Sequence, residues 1–312
     1  MDEVFEMFSF FGGLVNSLVI ILIHCLLAII KYVTPMTLWP KKSVAGEIAL
    51  VTGSGSGIGR EVSLSLAKRG CHLVLWDIND EGNQETGRMV RSLGAEANVY
   101  KCDVTDREAV YKVAKSVETE VGKVTILVNN AGIVSGRQLL DLSDEDIAKT
   151  FDVNTLAHFW TLKAFLPSMM EVNRGHVVTV SSVLAEVGIP RCSDYCASKA
   201  AVKAMHQAVA REMIIKRKDI HFTLVCPYLV KTGLFEGTST RYEWLLNTMT
   251  PEYVGKKIVE SIQTEQDHLY LPYLIQAGVL LEHVLPFRGQ LVMEDFLGAC
   301  AAMQTFTGRK KD

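Results

Sequence analysis

Residues 47–69 read EIALVTGSGSGIGREVSLSLAKR and decide the fold, because three local patterns follow one another in this short stretch. The apolar run 47–52 predicts a buried strand, the glycine-rich segment 53–59 predicts a tight turn, and the pattern at 60–69 predicts a helix. In that order a glycine pattern is typical of a dinucleotide site, since glycine lets the backbone approach a pyrophosphate at the start of a helix. The alternative is a glycine-rich turn without a ligand. The predicted cofactor-binding residues of this stretch are Gly53, Ser54, Gly55, Ser56, Gly57, Ile58 and Gly59.

A second apolar run, residues 72–77, ends in the carboxylate of Asp77, which lies 18 residues after Gly59. A carboxylate at this strand end can accept hydrogen bonds from the hydroxyls of an adenosine ribose. It would repel a 2′-phosphate, and Ile78 and Asn79 follow it without an Arg or Lys, so Asp77 favours NAD over NADP. The alternative is that Asp77 is a solvated turn residue.

Strand and helix patterns alternate from this point to about residue 226, and the last hundred residues depart from the alternation. Further strands are predicted at 98–102, 124–128, 175–181, 220–226 and 268–272, and helices at 80–93, 106–121, 143–167, 195–215 and 251–262. The alternation predicts an α/β fold of Rossmann type, with a single doubly wound parallel sheet and helices on both faces. Ligands bind such sheets at the carboxyl ends of the strands. Asn129, Ser182 and Pro227 follow three predicted strands, so we expect them to meet the glycine turn at one edge.

The segment after the strand at 175–181 combines a phenol with an amine. Tyr195 lies 13 residues after Ser182, and in a helix Tyr195 and Lys199 lie one turn apart on the same face. A free phenol has a pKa of about 10, and a fixed ammonium nearby lowers that pKa toward neutrality. Tyr195 is therefore a candidate general acid or base, with Lys199 as the group that lowers its pKa. From spacing alone, the role of Asn154 upstream is ambiguous.

The N-terminal stretch is the most apolar part of the chain, and residues 8–33 read FSFFGGLVNSLVIILIHCLLAIIKYV. This stretch is long enough to span a bilayer as a helix. Acidic residues precede it and lysines follow it, which predicts a retained membrane anchor with the rest of the chain in the cytosol. A cleaved signal peptide or a buried core helix is the alternative. Gly12 and Gly13 also leave open a helix or shallow hairpin that lies on one lipid surface.

Composition narrows the class of protein. The 312 residues carry a formal net charge of -3, so no basic surface for nucleic acid is expected. Seven cysteines are scattered without a CxxC pair, which predicts free thiols in a reducing compartment and no metal site. Cys192 and Cys196 flank Tyr195, and we expect them to be small packing residues.

We expect four segments: a hydrophobic anchor at 1–35, a linker at 36–46, a dinucleotide-binding catalytic domain at 47–272 and an apolar extension at 273–312. Within the domain, residues 228–249 mix apolar and polar side chains and are expected to form a mobile lid or substrate-side loop. The apolar runs 274–285 and 291–303 are too short to span a bilayer, so they line an apolar pocket or lie on a membrane. The basic residues 309–311 suit solvent or lipid headgroups.

As a set, these motifs resemble the short-chain dehydrogenase/reductase family over about residues 45–271, most of the chain. The matching positions are Thr52, Gly53, Gly57, Ile58, Gly59, Asp103, Asn129, Asn130, Ala131, Gly132, Asn154, Ser182, Tyr195, Lys199 and the run from Pro227 to Thr232. With the N-terminal anchor and the runs 74–79 and 226–233, the chain resembles the membrane-anchored subgroup of retinol dehydrogenases and 17β-hydroxysteroid dehydrogenases. Tyr228 departs from the wider family, in which a glycine commonly follows the proline.

The resemblance implies a role for each matching position. The implied catalytic residues are Asn154, which would hold a water in a proton relay, Ser182, which would hydrogen-bond the substrate oxygen, Tyr195 as general acid or base, and Lys199, which would also hold the nicotinamide ribose. The implied cofactor contacts are Asp103 with adenine, Thr232 with the carboxamide, and Asn130 and Pro227.

The implied activity is that of an NAD-dependent oxidoreductase that interconverts a lipophilic alcohol and its aldehyde or ketone, first of all all-trans-retinol and retinal. The alternatives are a 17β-hydroxysteroid dehydrogenase, an NADP-linked carbonyl reductase and a non-catalytic scaffold on lipid droplets. The implied partners are a retinoid or steroid substrate and a second copy of the chain in a homodimer. The implied location is the endoplasmic reticulum membrane or the lipid-droplet surface, with the catalytic domain facing the cytosol.

Overall fold

The computed structural model describes residues 2–34 and 38–308. Residue 35, at the end of the predicted anchor, and the predicted basic tail at 309–311 lie outside the described residues. The chain forms two compact units, Met1–Lys42 and Ser43–Asp312.

The first unit is dominated by one long helix, α1 (Asp2–Val33). Its window Phe10–Leu27 has a mean hydropathy of 2.3, and 0% of that window is buried. By length and composition, this helix is able to cross a membrane. The helix is continuous through Gly12 and Gly13 and has no hairpin bend there.

The second unit is built on a parallel sheet. Its strands are β1 (Ile48–Thr52), β2 (His72–Asp77), β3 (Ala97–Lys101), β4 (Ile126–Asn129), β5 (Gly175–Val180), β6 (Ile220–Pro227) and β7 (His268–Leu271). They pair in the order β3-β2-β1-β4-β5-β6-β7. The strand order reverses between β1 and β4, and this switch point is where open α/β sheets form a ligand crevice. Each predicted strand is present, and the central strands β1, β4 and β5 are buried over nearly their whole length, as the continuous apolar runs of a parallel sheet require.

Helices flank the sheet. They are α2 (Gly57–Ala67), α3 (Asp80–Ser92), α4 (Arg107–Glu120), α5 (Asp144–Phe151), α6 (Ala157–Val172), α7 (Ser193–Ile215) and α8 (Pro251–Gln263). Helix α2 packs against α3 and α8, whereas α4, α6 and α7 share a hydrophobic core with the central strands. Two further helices, α9 (Leu274–Val284) and α10 (Phe287–Leu297), follow β7. The predicted doubly wound α/β fold is confirmed.

The predicted helix at 143–167 differs from the structure in two ways. A π-helical turn, Asp152–Leu156, separates α5 from α6. The prediction that the helix ends at Pro167 is wrong, because α6 continues to Val172. Phe165 and Met169 on either side of the proline are 3% and 0% exposed. Burial of two such side chains offsets the cost of an internal proline, which is about 3 kcal/mol.

Candidate active site

The glycine turn after β1 is packed too closely for side chains. Gly53 has a left-handed φ of 66°, and its N–H donates to the carbonyl oxygen of Trp76 at 2.8 Å. At Gly59 an added Cβ would lie 2.1 Å from the carbonyl oxygen of Gly53 and 2.6 Å from Nδ2 of Asn130. That Nδ2 donates to the carbonyl oxygens of Thr52 at 2.9 Å and Gly53 at 3.2 Å. The turn is thus clamped to the end of β4, with the start of α2 beside it.

A cavity of about 420 Å³ lies along this edge of the sheet. The predicted site residues that line it are Gly53, Ser56, Gly57, Ile58, Asp77, Asp103, Asn130, Ser182, Tyr195, Lys199, Pro227 and Thr232. Four other predicted residues, Ser54, Gly55, Gly59 and Asn154, are not among the lining residues and support its wall. The first turn of α2 carries no acidic side chain, so its N–H groups suit a phosphate. The glycines let the backbone approach a pyrophosphate closely, and the N–H groups at the start of α2 can bind its oxygens, so this part of the cavity fits a dinucleotide.

Asp77 ends β2 beside the glycine turn. Its Oδ2 accepts a hydrogen bond from the N–H of Gly55 at 2.8 Å, and its Oδ1 accepts one from the N–H of Asn79 at 2.8 Å. The nearest basic side chain after the turn, Arg60, donates instead to the carbonyl oxygens of Gly55 and Gly82. Asp77 lines the cavity, whereas the guanidinium of Arg60 is engaged between α2 and α3.

A buried polar network joins the ends of β1, β2 and β3 behind the cavity. The hydroxyl of Ser54 donates to Oδ1 of Asn83 at 2.7 Å, and Nδ2 of Asn83 donates to carbonyl oxygens of β2 at 3.0 Å and β3 at 3.2 Å. Asp103, just after β3, accepts hydrogen bonds from the N–H of Thr105 at 2.9 Å and from its hydroxyl at 2.7 Å. Sequence reasoning missed Asn83, because nothing in the α3 pattern separates it from a solvated helix residue.

Ser182, Tyr195 and Lys199 come together where β5 ends and α7 begins. All three are buried, with 5%, 4% and 3% of their surfaces exposed. The hydroxyl of Ser182 lies beside the phenol of Tyr195 and accepts a hydrogen bond from the N–H of Leu184 at 3.1 Å. Nζ of Lys199 lies 5.7 Å from the centre of the Tyr195 ring and donates to the carbonyl oxygen of Val180 at 2.9 Å. A phenol, a hydroxyl and an amine therefore share one end of the cavity.

Burial decides the proton affinities of these groups in the free protein. Burial raises the pKa of Tyr195 above its ordinary value, and the hydrogen bond with Ser182 lowers that pKa by less. Burial also lowers the pKa of Lys199 to about 8, because the ammonium is removed from water. In the free protein the pKa of Tyr195 is therefore raised overall, whereas the sequence led us to expect that Lys199 lowers it. Desolvation of the buried phenol has the larger effect on its pKa, and desolvation cannot be read from the spacing of residues in the sequence.

The π-helical turn places Asn154 behind the same corner. Its Oδ1 accepts a hydrogen bond from the N–H of Ile133 at 2.9 Å, and its Nδ2 donates to the carbonyl oxygen of Ile133 at 2.9 Å and to the hydroxyl of Ser198 at 3.0 Å. At Gly132 an added Cβ would lie 3.3 Å from Oδ1 of Asn154 and 3.4 Å from Nζ of Lys199. Asn154 therefore holds the loop after β4 against α7, and its part in a proton relay stays a prediction.

A buried carboxylate, next to Tyr195 in the sequence, was missed by sequence reasoning. Asp194 is 4% exposed, and its Oδ2 accepts hydrogen bonds from the hydroxyls of Ser135 at 2.6 Å and Thr150 at 2.9 Å. It therefore joins the loop after β4, helix α5 and the start of α7. The sole signal was an acid in the first turn of a helix, which is common at solvated helix starts.

Aromatic and apolar side chains border the Tyr195 end of the cavity. Tyr228, Leu234 and Phe235, from the loop after β6, line it. Cys192 and Cys196 are free thiols that pack in the same region, in keeping with their predicted role. Within the part of the chain that the structure describes, no cluster of His, Cys, Asp and Glu could hold a metal ion.

Known proteins share these features. Residues 47–243 match the family model described as short chain dehydrogenase. Epidermal retinol dehydrogenase 2 of Homo sapiens is 47% identical over 274 residues, which cover 87% of this chain and 89% of that protein. A short chain dehydrogenase/reductase from Burkholderia phymatum, solved with NAD, superposes with a TM-score of 0.71 at 27% identity, covering 78% of this chain and 94% of that one. A metagenomic short-chain oxidoreductase solved with NADP superposes with a TM-score of 0.62 at 25% identity, covering 73% of this chain and 96% of that one.

The family model matches residues 47–243, and epidermal retinol dehydrogenase 2 aligns with 87% of the chain. One solved neighbour binds NAD and the other NADP, so a nicotinamide dinucleotide is the cofactor class that the cavity serves. The protein is an oxidoreductase of the alcohol dehydrogenase type. The chain belongs to the short-chain dehydrogenase family, in the subgroup that contains epidermal retinol dehydrogenase 2.

Proposed function

We propose that this chain oxidises a lipophilic alcohol, all-trans-retinol before others, to its aldehyde with NAD. The observation that carries the proposal is the meeting of the Ser182 hydroxyl, the Tyr195 phenol and the Lys199 amine at one end of the dinucleotide cavity. Apolar side chains at that end support a lipophilic substrate. The relative whose name states retinol supports the choice of a retinoid.

Alcohol oxidation requires a base for the hydroxyl proton while hydride leaves the carbon. The bound nicotinamide supplies the hydride acceptor. Burial raises the pKa of Tyr195 in the free protein, so the mechanism requires that this pKa falls when the cofactor binds. The phenolate oxygen of Tyr195 then accepts the hydroxyl proton, and the hydroxyl of Ser182 donates a hydrogen bond to the substrate oxygen as charge develops on it. Lys199, charged below a pH of about 8, stabilises the phenolate electrostatically.

The test is turnover of all-trans-retinol with NAD by the full chain in detergent or membranes, beside a panel of 17β-hydroxysteroids and with NADP as the second cofactor. We expect retinal to form with NAD, at a kcat/KM above that for each steroid. Faster oxidation of a steroid would replace the retinoid assignment. Absence of turnover on every alcohol would favour the non-catalytic scaffold.

Asp77→Asn is expected to lower the ratio of kcat/KM with NAD to kcat/KM with NADP by about tenfold, because a carboxylate near a 2′-phosphate repels it. Asparagine has nearly the same shape and keeps one acceptor oxygen for the N–H of Gly55 or Asn79. Asp80→Asn, at the start of α3, is the matched control and should leave the ratio as it is. An unchanged ratio in Asp77→Asn would remove Asp77 from cofactor selection.

We further propose that α1 anchors the chain in the endoplasmic reticulum membrane or on lipid droplets, with the catalytic unit on the cytosolic side. The fully exposed apolar window Phe10–Leu27 supports an anchor. Within the second unit, α9 and α10 expose Leu280, Val284 and Val292, which suits contact with lipid. The full chain is expected to stay in the membrane pellet after a carbonate wash, and its release into the supernatant would contradict the anchor.

A homodimer stays a prediction for the solubilised chain. The resemblance to the family implies pairing through α6, which follows Asn154, and α7, which carries Tyr195. Light scattering of the detergent-solubilised protein, corrected for detergent, measures the mass that decides between one copy and two.

A further inference from the structure

The last described residues fold back onto the loop that lines the cavity. Residues 299–308 follow α10 and form what is hereafter the C-terminal strap. The N–H of Thr307 donates to the carbonyl oxygen of Glu236 at 2.9 Å, and the hydroxyl of Thr305 donates to that of Gly237 at 2.5 Å. Gly237 has a φ of 82°, and an added Cβ there would lie 2.2 Å from the carbonyl oxygen of Thr305. The strap is therefore paired closely with the loop after β6.

The strap carries two apolar side chains into the cluster around the catalytic phenol. Met303 is 2% exposed and packs in one cluster with Tyr195. The ring of Phe306 lies on Gly136, where an added Cβ would meet Cε1 of that ring at 2.0 Å. The rings of Phe306 and Phe235 are 6.5 Å apart, and the ring of Phe235 stands edge-on to that of Tyr195 at 5.4 Å and 88°. A chain of rings thus leads from the strap to the phenol.

Little of the surface of Tyr195 is open to solvent. Cavities that hold a single drug-sized ligand measure roughly 300–1,000 Å³. The cavity here is about 420 Å³ and includes the dinucleotide groove. The Tyr195 end is only part of that volume, and Tyr195 itself is 4% exposed. Phe235 stands edge-on to Tyr195 and Met303 packs in the same cluster, so we expect these side chains to move when a long substrate binds.

We propose that Phe306 and Phe235 form a gate over Tyr195, carried by the C-terminal strap, that selects long apolar alcohols over short ones. The gate rests on the proposed alcohol oxidation, but it does not depend on the substrate being a retinoid. A long apolar chain displaces the two rings and then packs against them, so it regains the buried contacts. A short alcohol has too little apolar surface to replace the contacts that opening breaks.

Phe306→Ala tests the selection with two alcohols that share their reacting end. All-trans-retinol and 3-methylbut-2-en-1-ol are both allylic primary alcohols, but the second lacks the long apolar remainder. The ratio of kcat/KM for retinol to that for the short alcohol is expected to fall by about tenfold in Phe306→Ala, since the long chain loses an aromatic contact and the short alcohol gains access. Phe287→Ala, an exposed phenylalanine of α10, is the matched control and should keep the wild-type ratio. An unchanged ratio in Phe306→Ala would overturn the selection.

A second readout does not depend on activity. Cys192 lies in the cluster under Met303 and is 0% exposed, whereas Cys71 is 1% exposed at the start of β2. Burial raises the pKa of both thiols to about 12, so their alkylation rates report access rather than intrinsic reactivity. With iodoacetamide and mass spectrometry, alkylation of Cys192 is expected to be about tenfold faster in Phe306→Ala than in Phe287→Ala, with Cys71 unchanged.

The two readouts separate the gate from the proposed function. If Cys192 is alkylated faster in Phe306→Ala but neither alcohol is turned over, the proposal that Phe306 covers the phenol is supported and the proposed alcohol oxidation is refuted. Equal alkylation of Cys192 in both variants would refute the cover. If alkylation of Cys71 is also faster in Phe306→Ala, a second variant, Phe306→Leu, decides. An intermediate alkylation rate at Cys192 with Cys71 still protected supports the gate, whereas equal increases in rate at both cysteines contradict it.

Discussion

Tyr195→Phe is expected to lower kcat for alcohol oxidation by about 10³-fold, because a positioned acid or base contributes about 10²- to 10⁴-fold to a proton transfer. Phenylalanine keeps the ring that stands edge-on to Phe235 at 5.4 Å, so packing around the site should not change. Affinity for NAD and the melting temperature are therefore expected to stay near the wild-type values. The measurement is steady-state retinal formation together with NAD titration of each protein.

Tyr111→Phe is the control for this substitution. Tyr111 packs on the core at α4, and it does not line the dinucleotide cavity. Its loss of one hydroxyl should leave kcat unchanged. Equal rates of Tyr195→Phe and wild type would remove the phenol from the mechanism, and with it the proposed roles of Ser182 and Lys199.

Gly59→Ala is expected to weaken NAD binding by about tenfold or more and to lower the melting temperature by a few degrees, since overpacking costs about 1–3 kcal/mol. The added Cβ would lie 2.1 Å from the carbonyl oxygen of Gly53, which is backbone, and 2.6 Å from Nδ2 of Asn130. Asn130 cannot move freely, because it donates to Thr52 and Gly53. The start of α2 must therefore shift away from the turn that approaches the pyrophosphate. NAD titration and thermal unfolding of the same preparation measure both effects.

Gly278→Ala separates this steric effect from a general effect of alanine in a helix. Gly278 lies in α9, and an added Cβ there would meet nothing within 4 Å. Alanine is the better helix former by about 0.8–1.0 kcal/mol, so Gly278→Ala should bind NAD normally and melt no lower than wild type. Normal NAD binding by Gly59→Ala would show that the turn can relax and that close packing at Gly59 is not required.

The strands and the ligand edge of the sheet were predictable because they depend on local patterns. A run such as Ala49, Leu50 and Val51 is buried on both faces, and burial on both faces requires a continuous apolar sequence in a parallel sheet. The position of Tyr195 one turn before Lys199 follows from helix geometry alone. Residues that follow strands in such a sheet lie at one edge whatever their neighbours are.

The π-helical turn and the continuation of α6 past Pro167 were not predictable in the same way. Both features depend on distant contacts. In the π-helical turn, Asn154 is hydrogen-bonded to the loop at Ile133 and to the hydroxyl of Ser198, and beyond Pro167, Met169 packs in the hydrophobic core. A helix pattern read from sequence reports periodicity, whereas these contacts join residues more than 20 positions apart.

The amino-acid sequence by itself indicated the strands, the glycine turn, the candidate anchor and the candidate site residues, because each is marked by a local pattern. Only the tertiary structure decided which groups support Tyr195, how burial shifts the pKa values of Tyr195 and Lys199, and that Phe306 reaches the site from the far end of the chain. Desolvation and long-range packing are properties of the assembled core, so no local pattern contains them.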